Sequence, residues 1–336
     1  MSQVQEKHAP ATSATSAARR PSGVLGALGG LRHTGILIPF VALFIALALS
    51  SRSFLTSANL FGLFDQQSTI LIVAATSTLV LIAGGVDLSV GAVYAISGLV
   101  AAKLTGHVDP YVAIALAVVV GVLIGVVNGL LVTIAKINPL IATLATSYAV
   151  AGIATIVAGG TVLIVDDERF TQLGNASALG LKVTSILALA VIAMTWFLLS
   201  ATTYGRSLFA VGGNEEAARL SGIRTDLVKI AAYATSGAGA AFAGVLVASR
   251  VGSGQADQAT QTSLVFVVLA AIVIGGTSLL GGDGAIWKTC VGVLFLALIN
   301  NGFVLLRLDG VYQQIAAGLL IVIAVGSDSW RRARRR

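Results

Sequence analysis

The sequence has little charge, sulfur or histidine. Asp, Glu, Lys and Arg make up 10% of its 336 residues, against about a quarter in a soluble domain, so an ordinary water-exposed surface is excluded. Cys290 is the one cysteine and lies in an apolar run, which rules out a disulfide framework and a metal site built from sulfur. The three histidines, His8, His33 and His107, fall outside the apolar runs and read as solvated rather than as ligands. No HExxH, GxSxG, CxxC or complete GxGxxG motif is present. The segment Gly282 to Thr289, GDGAIWKT, approaches a phosphate-binding G-x-x-x-x-G-K-[ST] loop, but Trp287 stands where glycine must let the backbone wrap a phosphate. ATP binding by this chain is rejected on that ground, and the few polar residues in the apolar runs form no acid/base pair by spacing.

What is present is apolar length. The chain is 56% hydrophobic with 38 glycines, the composition of an integral membrane protein. Its net charge of +7 is spread over loops and ends rather than gathered on one polar face, so nucleic acid is not a partner. Runs able to cross a bilayer, which takes about 20 residues each, lie at about 35–50, 66–84, 110–134, 139–159, 183–201, 229–248, 263–280, 285–306 and 310–326, with a shorter one at 88–102. The expected fold is an all-α polytopic bundle of about ten transmembrane helices with interrupted, Gly-rich segments. The first run has a late start and no clear small-residue cleavage site, so it reads as a retained helix. Residues 1–33 read as a disordered cytoplasmic tail, 34–328 as the transmembrane domain and 329–336 as a basic cytoplasmic tail. With both ends inside, Lys136, the 203–229 loop and the tail WRRARRR fall on the cytoplasmic side, and Asp166-Asp167-Glu168 falls outside.

The long polar insertion is Thr203 to Lys229, TYGRSLFAVGGNEEAARLSGIRTDLVK. It reads as a short helix bounded on both sides. Asn214 is a good N-cap, Glu215 and Glu216 sit where the helix dipole favours negative charge, and Gly222 can take the left-handed position after the C-cap. Arg219 follows Glu215 by four residues, the favourable order for an ion pair. A helix of about two turns cannot hold itself together on propensity alone, so it is expected to dock on another protein.

Glycine is patterned. Gly121, Gly125 and Gly129 repeat every four residues and so share one face, where a second helix can approach closely. Gly237, Ala240 and Gly244 mark a similar face later. Gly84-Gly85-Val86-Asp87-Leu88-Ser89-Val90-Gly91 and the stretch from Gly275-Gly276 to Gly281-Gly282 both read G-G-x-x-L-x-x-G, which hints at an internal repeat of interrupted helices. Gly85 and Gly276 are expected to act as hinges, through a positive φ or close packing. Asp87 is placed as the N-cap of the run that follows it, with contact to cargo as the open alternative.

The motifs resemble those of a known family. Glu216-Ala217-Ala218 followed by Gly222 resembles the EAA-x-x-x-G loop of bacterial ABC importer permeases, and GRSLFAVGGNEEAARLSGI is similar to the ribose, xylose and arabinose branch. Further similar strings are GGVDLSVG, VNGLLV at Asn128-Gly129, NPLIATLAT from Asn138, IGGTSLLGGDG, NNG at Asn300 to Gly302, and YQQIAAGL. The resemblance implies a permease of the bacterial inner membrane, paired with a second permease subunit in a homodimer or heterodimer. It implies cytoplasmic ATP-binding cassette subunits, which bind the ATP and Mg, and an external sugar-binding protein; no cofactor belongs to this chain. Coupling to the ATPase would rest on Gly213, Asn214, Glu215, Glu216, Ala217, Ala218, Arg219 and Gly222. Two departures stand out: Val265-Phe266-Val267-Val268-Leu269 replaces a stretch like ELDAIAA, and Trp287-Lys288 stands where small residues are common.

The competing class is a stand-alone secondary transporter or channel for a small neutral solute, which would normally need ion-coupling carboxylates or a charged filter within the membrane. Asp65 and Asp87 are the only plausible internal acids, and both lie near the ends of runs. A neutral, polyhydroxylated cargo fits a pathway of amides and hydroxyls. The candidates are Gln66, Ser68, Asn128, Thr143, Thr146, Ser147 and Asn301, with Asp87. Each has the alternative role of joining helices by hydrogen bonds.

Overall fold

The computed structural model of the protein describes residues 36–308 apart from position 179, together with the isolated positions 312, 315, 318, 319 and 322. The expected tails at 1–33 and 329–336 and most of the run at 310–326 lie outside the described residues. Helix α1 spans Leu37–Ser50, α2 Ser57–Ile82, α3 Val90–Thr105, α4 Pro110–Thr133 and α5 Pro139–Ala158. Strand β1 (Leu163–Ile164), helix α6 (Glu168–Asn175) and strands β2 (Ser177–Ala178) and β3 (Leu181–Lys182) precede α7 (Val183–Ala201). The polar insertion contributes α8 (Thr203–Gly213) and α9 (Glu215–Leu220), and α10 runs from Thr225 to Val251. Strand β4 (Ser253–Gly254), α11 (Gln258–Ile274) and α12 (Ile286–Leu305) complete the described elements. The strands form two antiparallel pairs, β1 with β4 and β2 with β3.

The spans begin where the sequence offers a cap. Asp109 and Asn138 accept from the N–H groups of Tyr111 and Leu140, and each is followed by a proline at the first helical position, where its missing N–H costs nothing. Among the described residues six helices are long and apolar enough to cross a membrane: α2, α4, α5, α7, α10 and α12. Three more, α1, α3 and the Thr260–Ile274 part of α11, are apolar but shorter. A bundle of about ten spans is therefore not reached by the described helices. The ambiguous run at 88–102 is α3, shortened because its first residues are spent on the preceding break.

Helix α10 is the central element, packed mainly against α4, α3 and α2. The glycine face of α4 makes this possible. A Cβ at Gly121 would lie 2.6 Å from the Gly237 carbonyl oxygen, one at Gly125 would overlap the Tyr233 carbonyl, and one at Gly129 would lie 2.7 Å from Ile230 Cα. Gly244 of α10 meets the Tyr94 backbone of α3 in the same way. Close backbone approach supplies dispersion contact where lipid removes the hydrophobic drive between helices. The outward faces of α4, α5 and α7 carry exposed Leu123, Ile153 and Phe197, the surface expected against lipid.

Two ion pairs mark opposite ends. Asp109 pairs with Arg169 at 3.0 Å, and Lys136 pairs with Asp226 at 3.7 Å. Between them α4 has 24 residues, a rise of roughly 36 Å. Helix α6, not foreseen in the acidic loop, is capped by Asp167, and its Gly174 N–H donates to Ser249 Oγ of α10 at 2.7 Å. The Arg169 guanidinium holds the Asp167 carboxyl below its usual range.

The glycine breaks are corrected by one residue. After α2, Gly84 has φ +79°, its N–H donates to Leu81 O, and the Gly85 N–H donates to Val80 O. After α11, Gly276 has φ +93°, its N–H donates to Val273 O, and the Thr277 N–H donates to Ile272 O. Both are Schellman stops, so Gly84 corresponds to Gly276, and the G-G-x-x-L-x-x-G alignment is displaced by one position. Gly85 does not have a positive φ. It is required instead by contact, because a Cβ there would lie 2.6 Å from Tyr233 Oη.

Candidate functional site

The polar insertion folds into two helices rather than one. Thr202 caps α8 by accepting the Gly205 N–H, and Leu208 and Val211 are buried beneath it. In α9, Asn214 Oδ1 accepts the Ala217 N–H at 2.9 Å, and Gly222, at φ +84°, closes the helix with the same Schellman bonds. Glu215 is held by Arg219 at 3.3 Å and by Lys229 at 2.5 Å. Burial pushes the Glu215 carboxyl up, but the hydrogen bond and charge of Lys229, with the charges of Arg219 and Lys136, outweigh it and leave the group below its ordinary value. Ala218 is buried, whereas Glu216, Ala217 and Arg219 face outward. Leu220 is 81% exposed, one turn beyond Glu216 on the same face. The sequence reading missed Leu220; a leucine on the open side of a six-residue helix was the available signal.

A joint made of glycine backbone lies directly before α9. A Cβ at Gly212 would overlap the Ile82 carbonyl oxygen and lie 2.6 Å from Gly282 N. One at Gly281 would lie 2.7 Å from Gly84 Cα, and one at Gly282 2.9 Å from Gly213 Cα. The Gly282 N–H donates to Ile82 O at 2.9 Å. Three segments distant in sequence, the end of α8 and both helix breaks, thus meet with no side chain between them.

The break after α2 also carries a buried polar network. Asp87 Oδ1 accepts from Ser89 N at 3.0 Å and Ser89 Oγ at 2.6 Å, and Oδ2 accepts from Ser236 Oγ of α10 at 2.9 Å. The backbone N-cap of α3 is Ser89 rather than Asp87; the carboxylate nevertheless holds the helix start through the Ser89 N–H. Asn128 Nδ2 donates to Ser89 Oγ at 2.7 Å, while its Oδ1 is buried without a partner among the described residues. Thr143 Oγ1 donates to Pro139 O and accepts the Leu88 N–H at 3.1 Å.

The remaining pathway candidates are dispersed. Ser68 donates to Asp65 O, Thr146 donates to Ala142 O, and Gln66 is exposed on α2. Asn301 exchanges two hydrogen bonds with Asn59, at 2.8 and 3.2 Å. Asp65 accepts from Thr184 and pairs with Arg250 at 3.4 Å. Among the sequence candidates, Ser147 lines a cavity of about 230 Å³ between α5 and α11, with Tyr148, Gln258, Gln261, Thr262 and Val265 on its wall. A smaller cavity of about 80 Å³ lies between α3, α10 and α11 and shares Gln261 with the first. Gly91 sets the spacing of α3 and α11, since a Cβ there would overlap the Gln261 carbonyl oxygen. Trp287 is half exposed in the first turn of α12, with Lys288 Nζ 5.9 Å from its ring centroid.

Comparison with known proteins identifies the family. Residues 59–325 match a family described as "Branched-chain amino acid transport system / permease component". The chain is 37% identical to the L-arabinose ABC transporter permease protein AraH of Azospirillum brasilense over 98% of this chain and 97% of that one. It is 38% identical to the ribose import permease protein RbsC of Bacillus subtilis (strain 168), covering 88% and 93% of the two chains. Identity to the L-arabinose transport system permease protein AraH of Escherichia coli (strain K12) is 37%, over 90% and 92%. No solved structure matches the chain.

Proposed function

The chain belongs to this permease family, in the branch that includes the ribose and arabinose ABC permeases, and we propose that it carries a sugar or related polyol across the inner membrane. Separate ATP-binding cassette subunits supply the work, an external sugar-binding protein delivers the cargo, and a second permease subunit completes the channel. The end bearing α9 faces the cytoplasm, as do both termini. Helix α9 carries this reading: its caps and Glu215 are satisfied within the chain, which leaves Glu216, Ala217 and Leu220 free to enter a groove of the ATPase. Glu216→Lys or Ala217→Arg, placing wrong charge or bulk in a packed groove, is expected to abolish ATP-dependent uptake while the protein still inserts. Normal transport by both variants overturns the docking role.

A secondary transporter would need a carboxylate available for ion coupling. Asp65 and Asp87 are instead both engaged, by Thr184 and Arg250 and by Ser89 and Ser236. The cavity between α5 and α11 is assigned as the cargo path; among the described residues its wall offers amides and hydroxyls and no charged side chain. Uptake of radiolabelled D-ribose and L-arabinose by vesicles containing the complete importer tests the cargo class. At least one pentose is expected to enter only with ATP present, and entry driven by an ion gradient alone rejects the scheme.

A further inference from the structure

Resting on the sugar-import reading, we infer that Gln261 is a specificity-determining residue, whose amide reads the hydroxyl groups of an uncharged cargo at the wall shared by the two cavities. Gln261 sits near the start of α11 and is only 6% exposed. Its backbone is fully committed: the N–H donates to Asp257 O, and the carbonyl edge lies against Gly91, where any Cβ would overlap it. The side chain is not committed. Its amide makes no hydrogen bond with any described residue, and the residue lines both cavities. An amide at a cavity wall with no partner among the described residues is open to the hydroxyl groups of a ligand, to which it can both donate and accept.

The surroundings define the chemistry. Ser147, Tyr148 and Thr262 put hydroxyls on the wall of the larger cavity, and Leu144, Val265 and Phe266 put apolar surface between them. Among the described residues no ionised side chain lines that cavity, and the smaller one has a single carboxylate, Asp257, so an anionic cargo would find no counter-charge when desolvated. A glutamine amide both donates and accepts, as does a hydroxyl, whereas a carboxylate at the same place could only accept. A site built to hydrogen-bond a substrate hydroxyl discriminates strongly against an analogue lacking it, because the site's own buried group is then left unpaired.

The test uses the complete importer in cells. Gln261→Cys on a Cys290→Ser background is treated from outside with a membrane-impermeant thiol reagent, with D-ribose, L-arabinose and glycerol as competing solutes. The new thiol is expected to react, and to react several-fold more slowly under a saturating polyhydroxylated solute. A thiol that does not react, or that none of the three solutes protects, overturns the inference. Protection by glycerol alone, with no pentose uptake by the unmodified importer, leaves Gln261 as the hydroxyl reader but removes the pentose reading. In parallel, Gln261→Leu is expected to raise the KM for a transported pentose at least tenfold at unchanged abundance, and Gln261→Asn to recover part of it. Equal KM values for the two variants and the unmodified chain overturn the inference, including where the cysteine variant does not reach the membrane.

Discussion

The two helix breaks stop their helices with the same backbone geometry and are then held by different means. After α2, the chain from Gly85 to Ser89 is fastened by side chains of two other helices: Thr143 of α5 takes the Leu88 N–H, and from α10 Tyr233 donates to Val86 O and Ser236 donates to Asp87. After α11, the stretch from Thr277 to Asp283 is fastened mainly by its own backbone, with Ser278 N–H on Asp283 O and Gly282 N–H on Ile82 O. Its Thr277 hydroxyl is buried without a partner among the described residues, and Leu280 is 68% exposed. An anchored break and a loosely tethered one meet at Gly212. A displacement of α8 and α9 would therefore move the second break more readily than the first, because fewer specific bonds oppose it.

The largest expected effect comes from the meeting point. Gly212→Ala puts a methyl group onto the Ile82 carbonyl and beside Gly282, and ATP-driven uptake is expected to vanish with loss of thermal stability. Gly152→Ala on α5, where nothing lies within 4 Å, is expected to behave as the parent; if the two variants behave alike, the joint is not a transmission point. Next in size are Gly84→Ala and Gly276→Ala. Both residues hold a left-handed φ with little sterically near them, so both are expected to cost about 1–2 kcal/mol in detergent unfolding. A clearly unequal cost would break the equivalence of the two stops.

Two hydroxyl replacements sharpen the contrast. Thr143→Val strands the Leu88 N–H and is expected to destabilise by about 1–3 kcal/mol, whereas Thr277→Val removes an unpartnered group and is expected to be neutral or slightly stabilising. Comparable losses would show that the second break is as firmly held as the first. Asp87→Asn is the smallest. Its remaining oxygen still accepts from Ser89, and its amide can donate to Ser236 once that hydroxyl turns toward Ser77, 3.2 Å away. Uptake within about twofold of the parent is expected; an altered choice of sugar would instead make Asp87 a cargo contact.

Much of this was legible from local chemistry. Asn214 and Gly222 could be read as caps because a cap depends on a few consecutive residues, and Gly121, Gly125 and Gly129 could be read as a face because helical periodicity is local. Helix α8 could not be read. Its sequence, TYGRSLFAVGG, has three glycines that lower intrinsic propensity, and it is helical because Leu208 and Val211 are buried and Gly205 lets it fold back on Leu199. The register of the breaks failed for a related reason: a doublet of glycines does not say which one turns left-handed and which one admits a neighbour. The cavity-lining residues Gln258 and Gln261 were passed over because α11 begins earlier than its apolar run.

The crossing of α4 with α10 carries a consequence for how freely this sequence can vary. One face of α4 meets main chain at Gly121, Gly125 and Gly129, where a single added methyl group has no room. The opposite face presents Leu116, Leu123 and Val127 outward, where any greasy side chain of similar size serves equally well. Saturation mutagenesis along α4 should therefore show tolerance rising and falling with a four-residue rhythm, deepest at those three glycines and shallow between them.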